Sequence, residues 1–559
     1  MALDPDDASG HSCAVIRPVS PKKEPWEGSF NLPRRVPSGK ARWYSRARSA
    51  RTWLLLGACA AIFAPRAYLA VADQGMIWAD EIFQTLEQGH RLAFGYGLVP
   101  WEFQTGARSW LLAGLIGGLM KALAFLGVKS GAGLAIGLKL GFALLSTLAF
   151  WPLLRMANAA AGLTGTLLLG LLATAFPPSL IYSSRALAEV ACVPCLTWGL
   201  WLLSPWGMGT VGRAAWRAGR LATTPWWKLA GRPLVAGALL GFSAVLRYQN
   251  GVLLPVIFFV VLGRRGLLAA LFVTLGAALV GVLGGLLDWA TWGRPFKSLT
   301  EYVRFNLIES GANQWGVRGR GYYLDTLWAT AGPLLLVAGL GAVAGLRRSW
   351  PIALLVFAFV AVHSAIPHKE LRFLFPVLPL FLLCSAVGLG WLLDRIPFPR
   401  RTQIAAASAA GLAMLALWGA QARAVTFTHI GQVMASPANG GPTSPLVWRA
   451  FDERNRLLSQ AGTHADLCGL AAPSMNAYWT GAYTYFHRRA PILWSGGPGD
   501  YAAANYVILS PGQKMADPRF QSIATRGGYQ LYRRDGTCAP APRPSVGYGR
   551  LTLAGVSGP

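Results

Sequence analysis

Long apolar runs alternate with short polar, charge-bearing segments through most of the chain. The runs fall at about 52–72, 109–128, 132–154, 160–178, 187–203, 233–246, 251–263, 266–287, 329–346, 350–366, 372–393 and 402–420. Many approach the roughly 20 residues that a helix needs to cross a bilayer, so the pattern predicts an all-α polytopic membrane protein. The runs 233–246 and 251–263 are shorter, which places the turn "RYQN" at 247–250 near the membrane surface. From 421 onward the long runs stop. Short β-like pieces, "ANYVILS" and "GYQLYRR", lie between turn-rich segments such as "SGGPGD" and "SPGQ". Residues 421–559 therefore read as a C-terminal extramembrane α/β domain beyond the transmembrane part, 52–420. Residues 1–51 are polar and rich in Pro and Arg, unlike a cleavable signal peptide, and read as a disordered cytosolic basic arm.

Composition strengthens the membrane reading. Of the 559 residues 53% are hydrophobic and 13% charged, against about 25% charged in a soluble domain. A net charge of +28 would point to nucleic acid in a soluble chain. Here much of the excess lies between apolar runs, where it marks topology and contact with membrane lipids, and no nucleic-acid partner is expected. The seven cysteines hold one CxxC, Cys192–Cys195 within an apolar run, and no second pair at metal spacing, which argues against a structural zinc site. Cys468 and Cys538 both fall in the tail, where an oxidising compartment would permit a disulfide.

Basic segments mark the cytosolic side. They are "KARWYSRARSAR" before the first run, "GRAAWRAGRLATTPWWKLAGR" at 212–232, "GRR" at 263–265, "RR" at 347–348 and "DRIPFPRR" at 394–401. Four apolar runs separate the first outer loop from the basic loop at 204–232, although parity there requires an odd number of crossings. The run 109–128, with Lys121 and several glycines inside it, is the one read as interfacial or re-entrant. About eleven crossings follow, with the N-terminus inside and the C-terminus outside. The outer face then carries 73–131, the segment near 177–189, 247–250, 288–328, 368–372 and the tail.

That assignment puts "HKELR" at 368–372 on the face where cations are normally scarce. Charge at bilayer depth costs about 2.5–3.5 kcal/mol on insertion scales and is usually kept for chemistry. The alternative is a solvated turn whose Lys369 and Arg372 snorkel to headgroups. The first outer loop brings an adjacent acidic pair, Asp80 and Glu81. Asp80 is placed either to cap the following helix or to act as a general base. Arg185 and Glu189 are one helical turn apart and could pair. Carboxylates opposite outward guanidinium and ammonium groups suit transfer of a group from a lipid phosphate to an alcohol.

The motifs resemble glycosyltransferase family twenty-two, the dolichyl-phosphate-mannose-dependent α-mannosyltransferases of GPI-anchor and N-glycan assembly. "HKELRF" at 368–373 is similar to its HKExRF signature, and "DEIFQ" at 80–84 to its first-loop motif, although Trp78-Ala79 stands where the family has His-Pro. "WEF" at 101–103, "RS" at 108–109 and "SSRALAE" at 183–189 resemble further segments in the same order, spanning roughly 50–395. The resemblance implies a GT-C fold and an inverting transfer from a polyprenyl-phosphate sugar to a glycolipid or glycan acceptor on the periplasmic or lumenal face. It implies Asp80 as the catalytic base with Glu81 beside it. His368, Lys369 and Arg372 would hold the donor phosphate, with Glu370 in the same motif and Arg185 as a further candidate. No cofactor is implied, and a divalent metal is left open. Mannose is the leading sugar. A chain rich in Ala, Gly and Arg looks bacterial, which points to the inner membrane and an undecaprenyl or decaprenyl carrier; the endoplasmic reticulum is the eukaryotic counterpart. Two rivals are a lipid-linked-sugar flippase and a GT-C enzyme acting on protein or lipid A.

Overall fold

A computed structural model describes residues 38–204, 226–397, 399–434, 441–473, 475–494, 501–540 and 551–554. The described residues from Leu55 onward form one compact unit. Of the basic arm expected to be disordered, 1–37 lie outside the described residues, and 38–51 belong to the helix Ser38–Ala72. Most of the basic loop 204–232 is likewise outside them.

Among the described residues six helical segments are long and apolar enough to cross a bilayer: Thr52–Ala72, Gly131–Ala175, Leu267–Trp292, Leu346–Ala365, Leu371–Leu393 and Arg401–Arg423. The pair Tyr322–Ala331 and Leu334–Ala344, bent by 117°, would make a seventh. Gly131–Ala175 has 45 residues. At about 1.5 Å per residue it is twice as long as the roughly 30 Å hydrocarbon layer. It breaks at Ala161 and Gly162, where Gly162 adopts φ +61°. Length and apolarity therefore account for six or seven of the eleven crossings expected. The remainder would have to come from this break and from the shorter helices Ala188–Leu203, Ala230–Leu246 and Leu253–Arg265.

Leu267–Trp292 shows how these helices meet their surroundings. Leu268, Leu271, Leu275, Leu279, Leu283 and Leu286 recur at helical spacing and are exposed, the stripe a lipid-facing helix presents. Its opposite side lies against Trp226–Leu246. A Cβ on Gly276 would collide with the Leu234 carbonyl, and one on Gly237 with that of Val273, so the contact requires glycine on both helices. Leu371–Leu393, by contrast, is enclosed by other helices.

The first outer loop is built from a π-helical turn Asp80–Leu86, the helix Glu87–Phe94, strand β1 (Gly97–Pro100) and the helices Trp101–Thr105 and Trp110–Phe125. The helix Trp110–Phe125 has 16 residues, as many as Ala188–Leu203. It packs on Glu87–Phe94, where a Cβ on Gly89 would strike Ile116 and one on Gly117 the Gly89 carbonyl.

The tail carries β2 (Leu470–Ala471), β3 (Ile492–Leu493), β4 (Tyr506–Leu509), β5 (Gln521–Arg526) and β6 (Tyr529–Arg533) in one sheet of order β3-β2-β4-β6-β5. β2 is parallel to β3 and β4; β6 is antiparallel to β4 and β5. Strand β7 (Leu551–Ala554) leaves this sheet and pairs antiparallel with β1 of the first loop, Pro100 opposite Leu551. Both faces of β4 are buried. Tyr506 and Ile508 join the core that runs back to the helices, and Val507 and Leu509 pack with Phe520 on the other side. Cys468 and Cys538 are disulfide-bonded. The tail thus shares its main core with the helical part of the chain.

Candidate active site

Asp80 follows the stretch 73–79 and is the first residue of its π-helical turn. The helix cap is Ala79, without a side-chain bond, so the Asp80 carboxylate does not cap. It accepts from Gln84 Nε2 at 2.8 Å and lies 2.7 Å from Arg372 Nη2. Gln84 also donates to Glu102 at 3.1 Å. Burial raises the Glu102 carboxyl, Arg108 opposes the rise and Asp80 adds to it.

Arg372 is buried at the start of the short helix Leu371–Val377. Glu370 grips it from two sides, with Nε to Oε2 at 2.9 Å and Nη2 to Oε1 at 2.7 Å. His368 Nε2 stands 3.5 Å from Glu370, and its Nδ1 meets the Gly316 carbonyl at 2.8 Å. Burial alone would raise the Glu370 carboxyl, but Arg372 and His368 hold it at about 2. Lys369 is also buried and donates to the Arg318 carbonyl at 2.8 Å. The turn is paired and enclosed, which removes the solvated reading for Lys369 and Arg372.

Glu81 points elsewhere. It is fully buried, accepts from the Ala186 amide at 3.3 Å and lies 3.7 Å from Arg185 Nη1. Arg185 Nη2 binds Asp73 at 2.6 Å, and Lys139 donates to the Asp73 and Gly75 carbonyls. Burial raises the Glu81 carboxyl against the pull of Arg185. The Arg185–Glu189 pair that helical spacing allowed does not form. Leu187 between them is extended (φ −112°, ψ 147°), and the helix begins only at Ala188. Glu189 instead faces Arg247 Nη1 at 2.9 Å and Arg372 Nη1 at 3.4 Å.

Asp80 and the 368–372 turn meet at a cavity of about 420 Å³. Five permanent cations line it (Arg108, Arg247, Arg318, Lys369 and Arg372) together with His368, against the carboxylates Asp80, Glu102, Glu189 and Glu370. Glu81 and Arg185 are not in its lining. Trp101, Phe305 and Trp315 form an aromatic edge, with ring centroids 4.6 Å apart for Trp101–Phe305 and 5.6 Å for Phe305–Trp315. Such faces suit sugar rings, whose C–H groups are apolar. Sequence reasoning missed Gln84, Glu102 and Arg247 as lining residues. For Arg247 the signal was present: a cation in the outward turn "RYQN". Among the described residues no group of three or more His, Cys, Asp or Glu is arranged to hold a metal ion.

The profile of the Alg9-like mannosyltransferase family matches residues 58–439, well over half of the chain. The chain belongs to the Alg9-like mannosyltransferase family. Among relatives of this mannosyltransferase-family chain, GPI mannosyltransferase 3 of Yarrowia lipolytica is 28% identical over 57% of this chain and 59% of its own length. GPI mannosyltransferase 3 of Drosophila melanogaster is 27% identical over 54% and 51%. The chain thus spans just over half the length of these curated relatives. ArnT from Cupriavidus metallidurans bound to undecaprenyl phosphate superposes with a TM-score of 0.54 at 12% identity, covering 88% of this chain and 99% of ArnT. That likeness is one of fold, the GT-C architecture which the motifs implied.

Proposed function

We propose that the protein transfers a sugar, mannose in the leading case, from a polyprenyl-phosphate donor to a hydroxyl of a glycolipid or glycan acceptor, with inversion. The observation that carries this reading is the meeting of Asp80 and Arg372 on one cavity wall, an acceptor of protons beside a cluster of cations. Asp80 takes the acceptor's hydroxyl proton, and the oxygen attacks the anomeric carbon opposite the phosphate. The bond from carbon to phosphate oxygen breaks with its electron pair leaving on the phosphate. The donor is a phosphodiester with one negative charge and the departing polyprenyl phosphate carries up to two. Arg372, Lys369 and His368 therefore meet a charge that grows toward the transition state. Arg185 and Glu81 set the loop from behind.

The outer face, periplasmic or lumenal, is supported by the tail. Glu87 of the first loop accepts from the Tyr483 amide at 3.3 Å, so loop and tail share a side. The bond between Cys468 and Cys538 belongs to an oxidising compartment. The parity argument supports the same topology.

The test is reconstitution in liposomes with polyprenyl-phosphate [14C]mannose and extracted glycolipids. Labelled glycolipid and free polyprenyl phosphate should appear together, and neither with Asp80→Asn. Movement of intact donor across the bilayer without transfer would replace this reading with a flippase.

A further inference from the structure

We propose that the leaving phosphate sits between Arg247 and Arg372, with Arg247 as a second phosphate-binding guanidinium and Glu189 as the residue positioning both. This rests on the transferase reading above.

Arg247 ends the helix Trp226–Leu246 and caps the turn Tyr248–Val252. That turn is pinned by its side chains: Asn250 Nδ2 donates to Ser243 Oγ at 2.9 Å, the Tyr248 and Ser298 hydroxyls meet at 2.5 Å, and Gln249 donates to the Tyr302 hydroxyl. The backbone under Arg247 is therefore held firmly. Its side chain is 7% exposed and lines the cavity. One nitrogen, Nη1, faces Glu189 Oε1 at 2.9 Å, while Nε and Nη2 have no hydrogen-bond partner. The same Glu189 oxygen lies 3.4 Å from Arg372 Nη1, which also lacks one. Both guanidinium carbons stand over the Phe373 ring, at 5.2 Å for Arg247 and 5.3 Å for Arg372.

Two guanidinium groups thus share one carboxylate and one ring and keep three unfilled nitrogens between them. A buried planar donor with unpaired N–H groups fits an oxyanion presenting several acceptors, as phosphate does. The remaining nitrogens of Arg372, Nε and Nη2, are occupied by Glu370 and Asp80. Base and leaving phosphate would then lie on different nitrogens of one guanidinium, Nη2 and Nη1, with the anomeric carbon in front of it.

The experiment measures binding of undecaprenyl phosphate to nanodisc-held protein, alongside donor KM and kcat. Arg247→Ala should weaken binding more than tenfold and raise donor KM. Arg247→Lys keeps a charge for Glu189 but lacks the fork, so it should fold normally and still bind more than fivefold weaker. Asp80→Asn should bind undecaprenyl phosphate like wild type. Wild-type affinity in folded Arg247→Lys overturns this inference while transfer by the wild type leaves the transferase reading standing. A wild type that neither binds undecaprenyl phosphate nor transfers sugar overturns both. If Arg247→Ala fails to fold, the Lys variant decides.

Discussion

Asp80 and Glu81 are adjacent in the chain and serve opposite sides of it: the Asp80 carboxylate lies 2.7 Å from Arg372 in the cavity, whereas Glu81 is sealed against Ala186 and Arg185. One acidic pair is thereby divided between a solvent-reachable position and a structural one. The division separates their mutational consequences.

Asp80→Asn should reduce transfer about 10²–10⁴-fold, the range that a positioned base supplies. Because Asp80 is not a helix cap, Asp80→Asn and Asp80→Ala should lose activity alike and unfold at similar temperatures. Turnover and thermal unfolding in detergent check both halves.

Glu81→Ala leaves Arg185 with one carboxylate fewer in a buried cluster. Breaking such a pair costs about 3–5 kcal/mol. A lowered unfolding temperature is expected, with the folded fraction still transferring sugar. A normally stable but inactive Glu81→Ala would move Glu81 into the chemistry.

His368 should give the site a pH dependence. Burial lowers its pKa, but Glu370 and the Gly316 carbonyl outweigh burial and leave it above 6.5. The stabilisation from protonated His368 is then complete below 6.5 and fades as pH rises through the raised value. Glu370, held at about 2, loses its contribution only as pH falls from 4.5 toward that value. Activity and unfolding temperature should decline on the alkaline side, and His368→Gln should remove that decline.

Glu87 behaves in the direction opposite to Glu370. Burial raises its carboxyl from 4.5 to about 7, despite the amides of Leu98, Thr484 and Tyr483. The unfolded chain loses this proton first, so stability falls as pH rises from 4.5 to 7. Protection of the amides around Tyr483 and Thr484, relative to their intrinsic exchange, should fall over that interval. Glu87→Gln should flatten the change.

The charged turn and the acidic pair were legible because ionised groups in an apolar chain stand out, and parity placed them on one face. Partner choice was not. Helical spacing paired Arg185 with Glu189, but one extended residue, Leu187, sent Arg185 to Asp73 and Glu189 to two other arginines. Arg247 was passed over because a lone arginine beside apolar runs has the same signature whether it serves topology or a ligand. The strands "ANYVILS" and "GYQLYRR" were readable, but not their packing. Burial of both faces of β4 gives the tail a core shared with the helices.

The Glu87 ties also set an order of events during synthesis. Its partners Tyr483 and Thr484 lie 396 and 397 residues further along the chain. The loop bearing Asp80 leaves the ribosome early but must wait, incompletely anchored, until the tail has been made and delivered to its side. Contacts of such long range form late, after the loop-closure entropy has been met. Catalytic competence is therefore a property that the nascent chain acquires only once the tail has been made.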